Sequence, residues 1–423
     1  MTLAPLLFLA IINAGEPGAP SAEELLARHL QAIGGREAAG AVFSLVRKGT
    51  YSFGNGSATF PAELYARAPN QWRFVMTIPG TYFLEHVSDG KAGWVQSPDG
   101  TAPMPPEQRP QEDCAFNLSA VLRPQEYLSS MTVKGREKAG GREVWVVEAK
   151  PPEGKPVTAH FDVETGLLTA LGDAIFEDYR PAGDIQAPYT IRLRDEKSEE
   201  VFSTSELRPN EPIENSRFEQ EANTRAYRES LRRITRDALD ETLKGIEAGA
   251  ARAVLEDLHG FSPSDGRILY DRIVAKGYRR GLEIGTAKGN SAIWMGMAFR
   301  KNGGKLITIE INDERAKAAT ENFRRAGLDQ VVECRNNDAF KEIPALEGTF
   351  DFVFMDTGTA LHKKFLDLLY ARVVNGGTIS SHNANTFARQ MPDFLKAITT
   401  DPHLETEIIR TPTGGFSFSR KKE

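Results

Sequence analysis

Cysteine is almost missing from this 423-residue sequence, which contains only Cys114 and Cys334. Two thiols cannot build a disulfide framework or a zinc knuckle, so both read as unpaired, partly buried side chains in different domains. Dense basic patches are also lacking. The nearest approach, Arg232-Arg233 with Arg236, is interrupted by acidic residues, and the formal net charge is −6. A general nucleic-acid partner is therefore not expected, because phosphate neutralisation needs a basic surface. The G-x-G-x-x-G fingerprint of nicotinamide binding does not occur, nor does a Tyr-Lys or histidine proton relay, which speaks against an oxidoreductase. The apolar stripe between Tyr227 and Val254 does not sustain heptads, which disfavours a coiled coil.

What is present is a globular composition, 40% hydrophobic and 26% charged, on a chain too long for one ordinary core. Two or three domains are expected. Residues 1–19 read as a signal-like or disordered leader. Thr2 to Ile12 is apolar but too short to span a bilayer, and it matches the apolar region of a secretory signal with cleavage after Ala14 or Ala19. No Lys or Arg precedes it, so location stays open between the cell envelope or periplasm and the cytoplasm.

Residues 20–215 open with a helix signalled by the capping pair Ser21 and Glu24 and ended by Gly34-Gly35. Short strands follow, including a hairpin of Tyr51–Phe53 and Ala58–Phe60 about a Gly-Asn-Gly turn. The stretch 101–111 holds four prolines and reads as a loop. Even strand spacing predicts an α+β antiparallel sheet or open half-barrel with a helix. The segments ARHLQAIGGREA, SLVRKGTYSF, SDGKAGWVQ and HFDVETGLLTAL resemble the LolA/LolB-like lipoprotein-carrier half-barrel. That resemblance implies a concave face able to hold a lipid or acyl chain. Trp72, Phe74, Phe83, Trp94 and Trp145 are candidates for lining it, and ordinary core aromatics are the alternative.

Residues 216–258 read as a helical linker or lid that Gly245 and Gly249 break in two. Residues 259–423 alternate strands and helices, the pattern of an α/β doubly wound, Rossmann-like domain. Its first strand runs into Glu283-Ile-Gly285-Thr-Ala-Lys-Gly289-Asn-Ser291, where Gly285 and Gly289 leave the backbone bare for a ligand. Glu310 ends the second strand, 25 residues after Gly285, where an acid grips ribose hydroxyls. Asp338 follows the third strand, placed to accept from an adenine amino group, and Asp356 ends the fourth. Four acids at successive strand ends suit a cationic sulfonium far better than a pyrophosphate.

The ordered set GLEIGTAKGNSAIW, KLITIEIND, NFRRAGL, NNDAF, FDFVFMD and NGGTISSHN resembles the catechol O-methyltransferase type of class I methyltransferases, over about residues 260–421. That resemblance implies S-adenosylmethionine as cofactor. Glu283, Gly285, Gly289 and Ser291 would flank its methionine end, with Glu310 at the ribose, Asp338 at the adenine and Asp356 beside them. It also implies a divalent metal (Mg, Mn or another) on Asp356, His382 and Asn383, a small-molecule methyl acceptor, and a homodimer. The chain departs from the pattern at two places. It has His382-Asn383 where the magnesium enzymes have Asp-Asn, and Thr359 where they often have a lysine base. A histidine nitrogen suits Mn, Fe, Ni or Zn better than Mg. His362 and Lys363 follow nearby and could substitute for the lysine, the alternative being that both lie on the helix surface, and His382 is open to two readings, metal ligand or metal-free general base. The sequence thus supports an O-methyltransferase acting on a hydroxylated aromatic or lipid-like acceptor, with Asp356, His382 and His362 as catalytic candidates. The alternative is an envelope carrier whose rear domain is a non-catalytic methyltransferase-like module.

Overall fold

The computed structural model describes residues 18–422, apart from 54–57, 79–81, 98–99, 107, 195–198 and 386–387. The apolar leader segment and the tip of the first hairpin lie outside the described residues. The chain divides into two compact units, the first ending at Tyr227 and the second running from Arg228, with Ile78–Tyr82 counted in the second.

The first unit opens with the helix Ala22–Ala32. Its capping box forms as the sequence predicts: Glu24 N–H donates to Ser21 Oγ (3.1 Å) and Ser21 N–H to Glu24 Oε2 (2.7 Å). Thirteen strands then make one sheet. The chain meanders outward from Ser44–Phe53 to the edge strand Gly100–Pro103, then restarts at the other edge with Ser130–Ala139. It works back to Glu199–Pro209, which pairs antiparallel with Ser44–Phe53. The Pro-rich stretch 101–111 is not one loop. It contributes that edge strand, where a proline costs no ladder bond, and the start of the helix Gln108–Phe116. Phe116 stacks on Phe74 (5.3 Å, 7°) and meets Trp72 edge-on, so these aromatics are packed core.

The predicted aromatic lining is also split between the two faces of the sheet. Trp72 and Phe74 lie on one, while Trp94 stands opposite Val87 on the other, where Phe83 packs near Val46, Tyr65 and Val75.

Strands of the second unit, taken in chain order, are β1 (Arg280–Ile284), β2 (Lys305–Glu310), β3 (Val332–Asn336), β4 (Phe350–Met355), β5 (Val373–His382), β6 (Leu404–Ile409) and β7 (Phe416–Lys421). Their spatial order is β3-β2-β1-β4-β5-β7-β6. The first five are parallel, and β7 is antiparallel to both β5 and β6. After the helices Gln220–Thr242 and Ala251–Asp257, those that alternate with or flank these strands are α1 (Pro263–Lys276), α2 (Asn290–Asn302), α3 (Asp313–Arg325), α4 (Ala339–Ala345), α5 (His362–Leu369) and α6 (Pro392–Thr400). A parallel sheet needs cover on both faces, and β4 shows how the sequence supplies it. Phe352 and Phe354 enter one core with Trp294, while Val353 and Met355 enter the other with Phe365 and Phe394. Strand order reverses between β1 and β4, so their carboxyl ends open the crevice where such sheets bind ligands.

Candidate active site

The turn after β1 is shaped by backbone close approach. Gly285 has φ +96°, and a Cβ there would lie 2.1 Å from the Asp356 carbonyl oxygen. Gly289 (φ +92°) is pressed against Phe323, and Ala287 between them holds a left-handed φ of +48°. A strained non-glycine residue at such a turn is a mark of functional sites. Glu310 explains how the turn is held, because its Oε2 accepts Ala287 N–H (2.8 Å) and its Oε1 accepts Asn312 N–H (2.9 Å). Each carboxylate oxygen keeps a lone pair for an incoming hydroxyl.

Glu283 does not sit open beside a ligand. Its carboxyl is fully buried, accepting from Ser291 Oγ and Thr308 Oγ1 at 2.5 Å each. Burial pushes its pKa up to about 8, against the two hydrogen bonds and with the added repulsion of Asp356 and Glu310. Glu283 and Ser291 thus fasten the turn to β2 from below rather than flanking a ligand directly. Asp338 caps α4 through Phe340 N–H (2.9 Å) and stays half-buried at the rim. Sequence reasoning missed Ile311 (73% exposed) and Phe340 (38%), which follow Glu310 and Asp338 by one and two residues. Apolar side chains left open beside two acids were the available signal.

Asp356, at the end of β4, is 24% exposed and is met by two donors. His382 Nδ1 lies 3.4 Å from its Oδ1, and Asn383 Nδ2 donates to the same oxygen at 3.4 Å. The other His382 nitrogen, Nε2, meets Asp265 Oδ2 at 3.1 Å. Asp265 is the residue the motifs did not reveal: it comes from the first turn of α1 and also accepts from Thr413 Oγ1 (2.5 Å). Burial opposes the charge on His382, but Asp356 and Asp265 outweigh it and raise its pKa to about 9. An imidazolium with both nitrogens given to carboxylates is not a free general base.

His362 is a further correction. It is fully buried, Nε2 donating to the Thr357 carbonyl (3.2 Å) and Nδ1 accepting from Ser381 Oγ (2.9 Å). Burial lowers its pKa. It ties the loop after β4 to the end of β5. Lys363 turns to Asp367 on the surface of α5 (2.7 Å), and Thr359 Oγ1 donates to Gln390 (3.0 Å).

The expected metal set fails a simple test of donors. A divalent ion needs converging lone pairs, whereas His382 and Asn383 both offer N–H groups to Asp356. Among the described residues, no group of three His, Cys, Asp or Glu side chains is gathered closely enough to hold a metal ion.

A family model described as a methyltransferase domain matches residues 282–384. The catechol O-methyltransferase of Niastella koreensis is 38% identical over 99 residues, 22% of this chain and 44% of that protein. The catechol O-methyltransferase of Mycobacterium tuberculosis is 27% identical over 191 residues, 41% of this chain and 86% of that protein. The caffeoyl-CoA O-methyltransferase of Medicago sativa is 24% identical over 185 residues, 38% and 74%. Among solved structures, an O-methyltransferase from Bacillus cereus in complex with SAH aligns at a TM-score of 0.39 and 22% identity, covering 46% of this chain and all of that one. The second unit is thus similar to methyltransferase domains of the S-adenosylmethionine-dependent class. The matched relatives transfer methyl groups to oxygen, and the chain spans less than half the length of the Niastella protein it matches.

Proposed function

We propose that the second unit methylates an oxygen of a small hydroxylated acceptor, aromatic or lipid-like, with S-adenosylmethionine as donor. The observation that carries this reading is the placement of Glu310, Asp338 and Asp356 at the carboxyl ends of β2, β3 and β4, with the Gly285–Gly289 turn following β1 between them. In this reading Glu310 takes the ribose hydroxyls on its spare lone pairs. Asp338 receives the adenine amino group, and Ile311 and Phe340 cover the ring. The backbone left bare at Gly285 and Gly289 admits the methionine end. When bound, S-adenosylmethionine supplies a methyl carbon already activated by positive sulfur, so the protein has mainly to position and deprotonate.

Asp356 is the group that takes the proton. A phenol with a pKa of about 10 is far weaker an acid than a carboxyl group, so a carboxylate does not ionise it beforehand. As the new C–O bond forms, however, the oxygen becomes cationic and strongly acidic, and a carboxylate within hydrogen-bond reach then suffices. His382 and Asn383 hold that carboxylate in place. No step in this scheme passes through a divalent metal.

The first unit would bind an acyl chain or other apolar ligand, as its likeness to the carrier half-barrel implies. Displacement of a fluorescent fatty-acid probe checks that, and light scattering checks the implied homodimer. The methyl-transfer reading is tested by following S-adenosylhomocysteine formation with catechol and caffeate as probe acceptors. Product formation that Asp356→Asn removes supports it. A folded protein that binds S-adenosylmethionine and turns over neither probe in any buffer would weaken the choice of acceptor class.

A further inference from the structure

We infer that Asp265, His382 and Asp356 form a fixed hydrogen-bonded unit that occupies the place of a divalent metal, so that this site works without one. The inference rests on the methyl-transfer reading above and concerns how that site is completed. Its first ground is occupancy: the two ring nitrogens of His382 are 3.1 Å from Asp265 Oδ2 and 3.4 Å from Asp356 Oδ1, leaving no lone pair to offer an ion. Turning the ring over would put carbon where nitrogen now stands and break both contacts.

The second ground is immobility. The ring centroid lies 5.1 Å from that of Phe261 and 5.0 Å from that of Phe416, with Phe354 at 6.4 Å. Gly414 closes the remaining side so tightly that a Cβ there would stand 3.0 Å from His382 Nε2 and 2.7 Å from Asn383 Oδ1. Asn383 itself is held at a left-handed φ of +66°, which turns its amide toward Asp356.

The third ground is Asp265. Its carboxyl is fully buried, one oxygen serves His382 and Thr413, and the other has no hydrogen-bond partner. A carboxyl buried in that state depends on the two groups that meet it, the His382 ring and the Thr413 hydroxyl. Asp265 is therefore a positioning residue. It fixes His382, which in turn aims the Asp356 carboxylate, the group that meets the acceptor.

The experiment is a Mn2+ titration of the full chain after chelation, read by the electron paramagnetic resonance signal of free Mn2+, with and without S-adenosylhomocysteine. Wild type is expected to show no saturable uptake. His382→Asp, which restores the Asp-Asn pair of the magnesium relatives and removes the blocking ring, is expected to gain Mn2+ affinity by on the order of 10- to 100-fold. Asp265→Ala, which removes the anchor of Nε2 and so lets Nδ1 turn a lone pair toward an ion on Asp356, serves as a second variant should the first not fold, and is expected to gain Mn2+ affinity in the same direction. Saturable Mn2+ uptake by wild type that Asp356→Asn abolishes would overturn the inference, as would no gain in either folded variant. Failure of wild type to take up S-adenosylhomocysteine is read separately and counts against the methyl-transfer reading, since the Mn2+ signal does not depend on the cofactor.

Discussion

Replacing Glu283 by glutamine should make the second unit more resistant to alkali. The carboxyl is fully buried between two hydroxyls, and its pKa stands at about 8 rather than 4.5. At roughly 1.4 kcal/mol per unit, ionising it in the folded protein costs about 4–5 kcal/mol more than in the unfolded chain. Because the folded pKa is the raised one, its contribution to stability is fully present below pH 4.5. It is lost progressively as pH rises to about 8 and is absent above. Glutamine keeps the shape and never ionises. Near pH 5 the two proteins should differ by no more than about 1 kcal/mol, the scale of one altered hydrogen bond. Near pH 8.5 the variant should be more stable by several kcal/mol. Denaturant titration at both pH values, with hydrogen exchange of helix α2 reporting on the second unit, measures the difference. A gap between the two proteins that stays constant from pH 5 to 8.5 would refute the reasoning.

Three other outcomes follow from the same geometry. Gly285→Ala sets a Cβ 2.1 Å from the Asp356 carbonyl at a positive φ, so it should destabilise the second unit by about 2 kcal/mol or more and abolish cofactor binding, seen by thermal melting and calorimetry. Asp356→Asn should lower turnover by on the order of 10²–10⁴ while the protein still binds S-adenosylhomocysteine, the signature of a lost proton acceptor. His362→Gln should cost about 1–3 kcal/mol of stability through its lost buried hydrogen bonds and leave the pH profile of turnover unmoved, which a catalytic histidine could not do.

The turn and the strand-end acids that make up the proposed cofactor cradle were legible because each part is local. Glycines after the first strand, and acids at the ends of the second and fourth, follow from strand–turn–helix geometry, and spacing alone places them together. The chemistry beside Asp356 was not. Asp265 lies 117 residues before His382 and reaches it only because α1 packs over the crevice. His362 is near Asp356 in the chain, yet its side chain turns inward, and nothing in the sequence fixes that direction. In the first unit, strand alternation gave the antiparallel sheet. The prolines of 101–111 hid a helix start, since proline is tolerated in a first turn as well as in loops. The aromatics there could not be sorted into faces before the pairing of Val87 with Trp94 was known.

On this account the second unit binds S-adenosylmethionine through Glu310 at the end of β2, one strand from the switch in strand order. Calorimetric titration of S-adenosylmethionine and S-adenosylhomocysteine into the purified protein, beside Glu310→Ala, tests it directly. The account predicts micromolar binding that the variant loses; a well-folded wild-type protein that takes up neither ligand would contradict it.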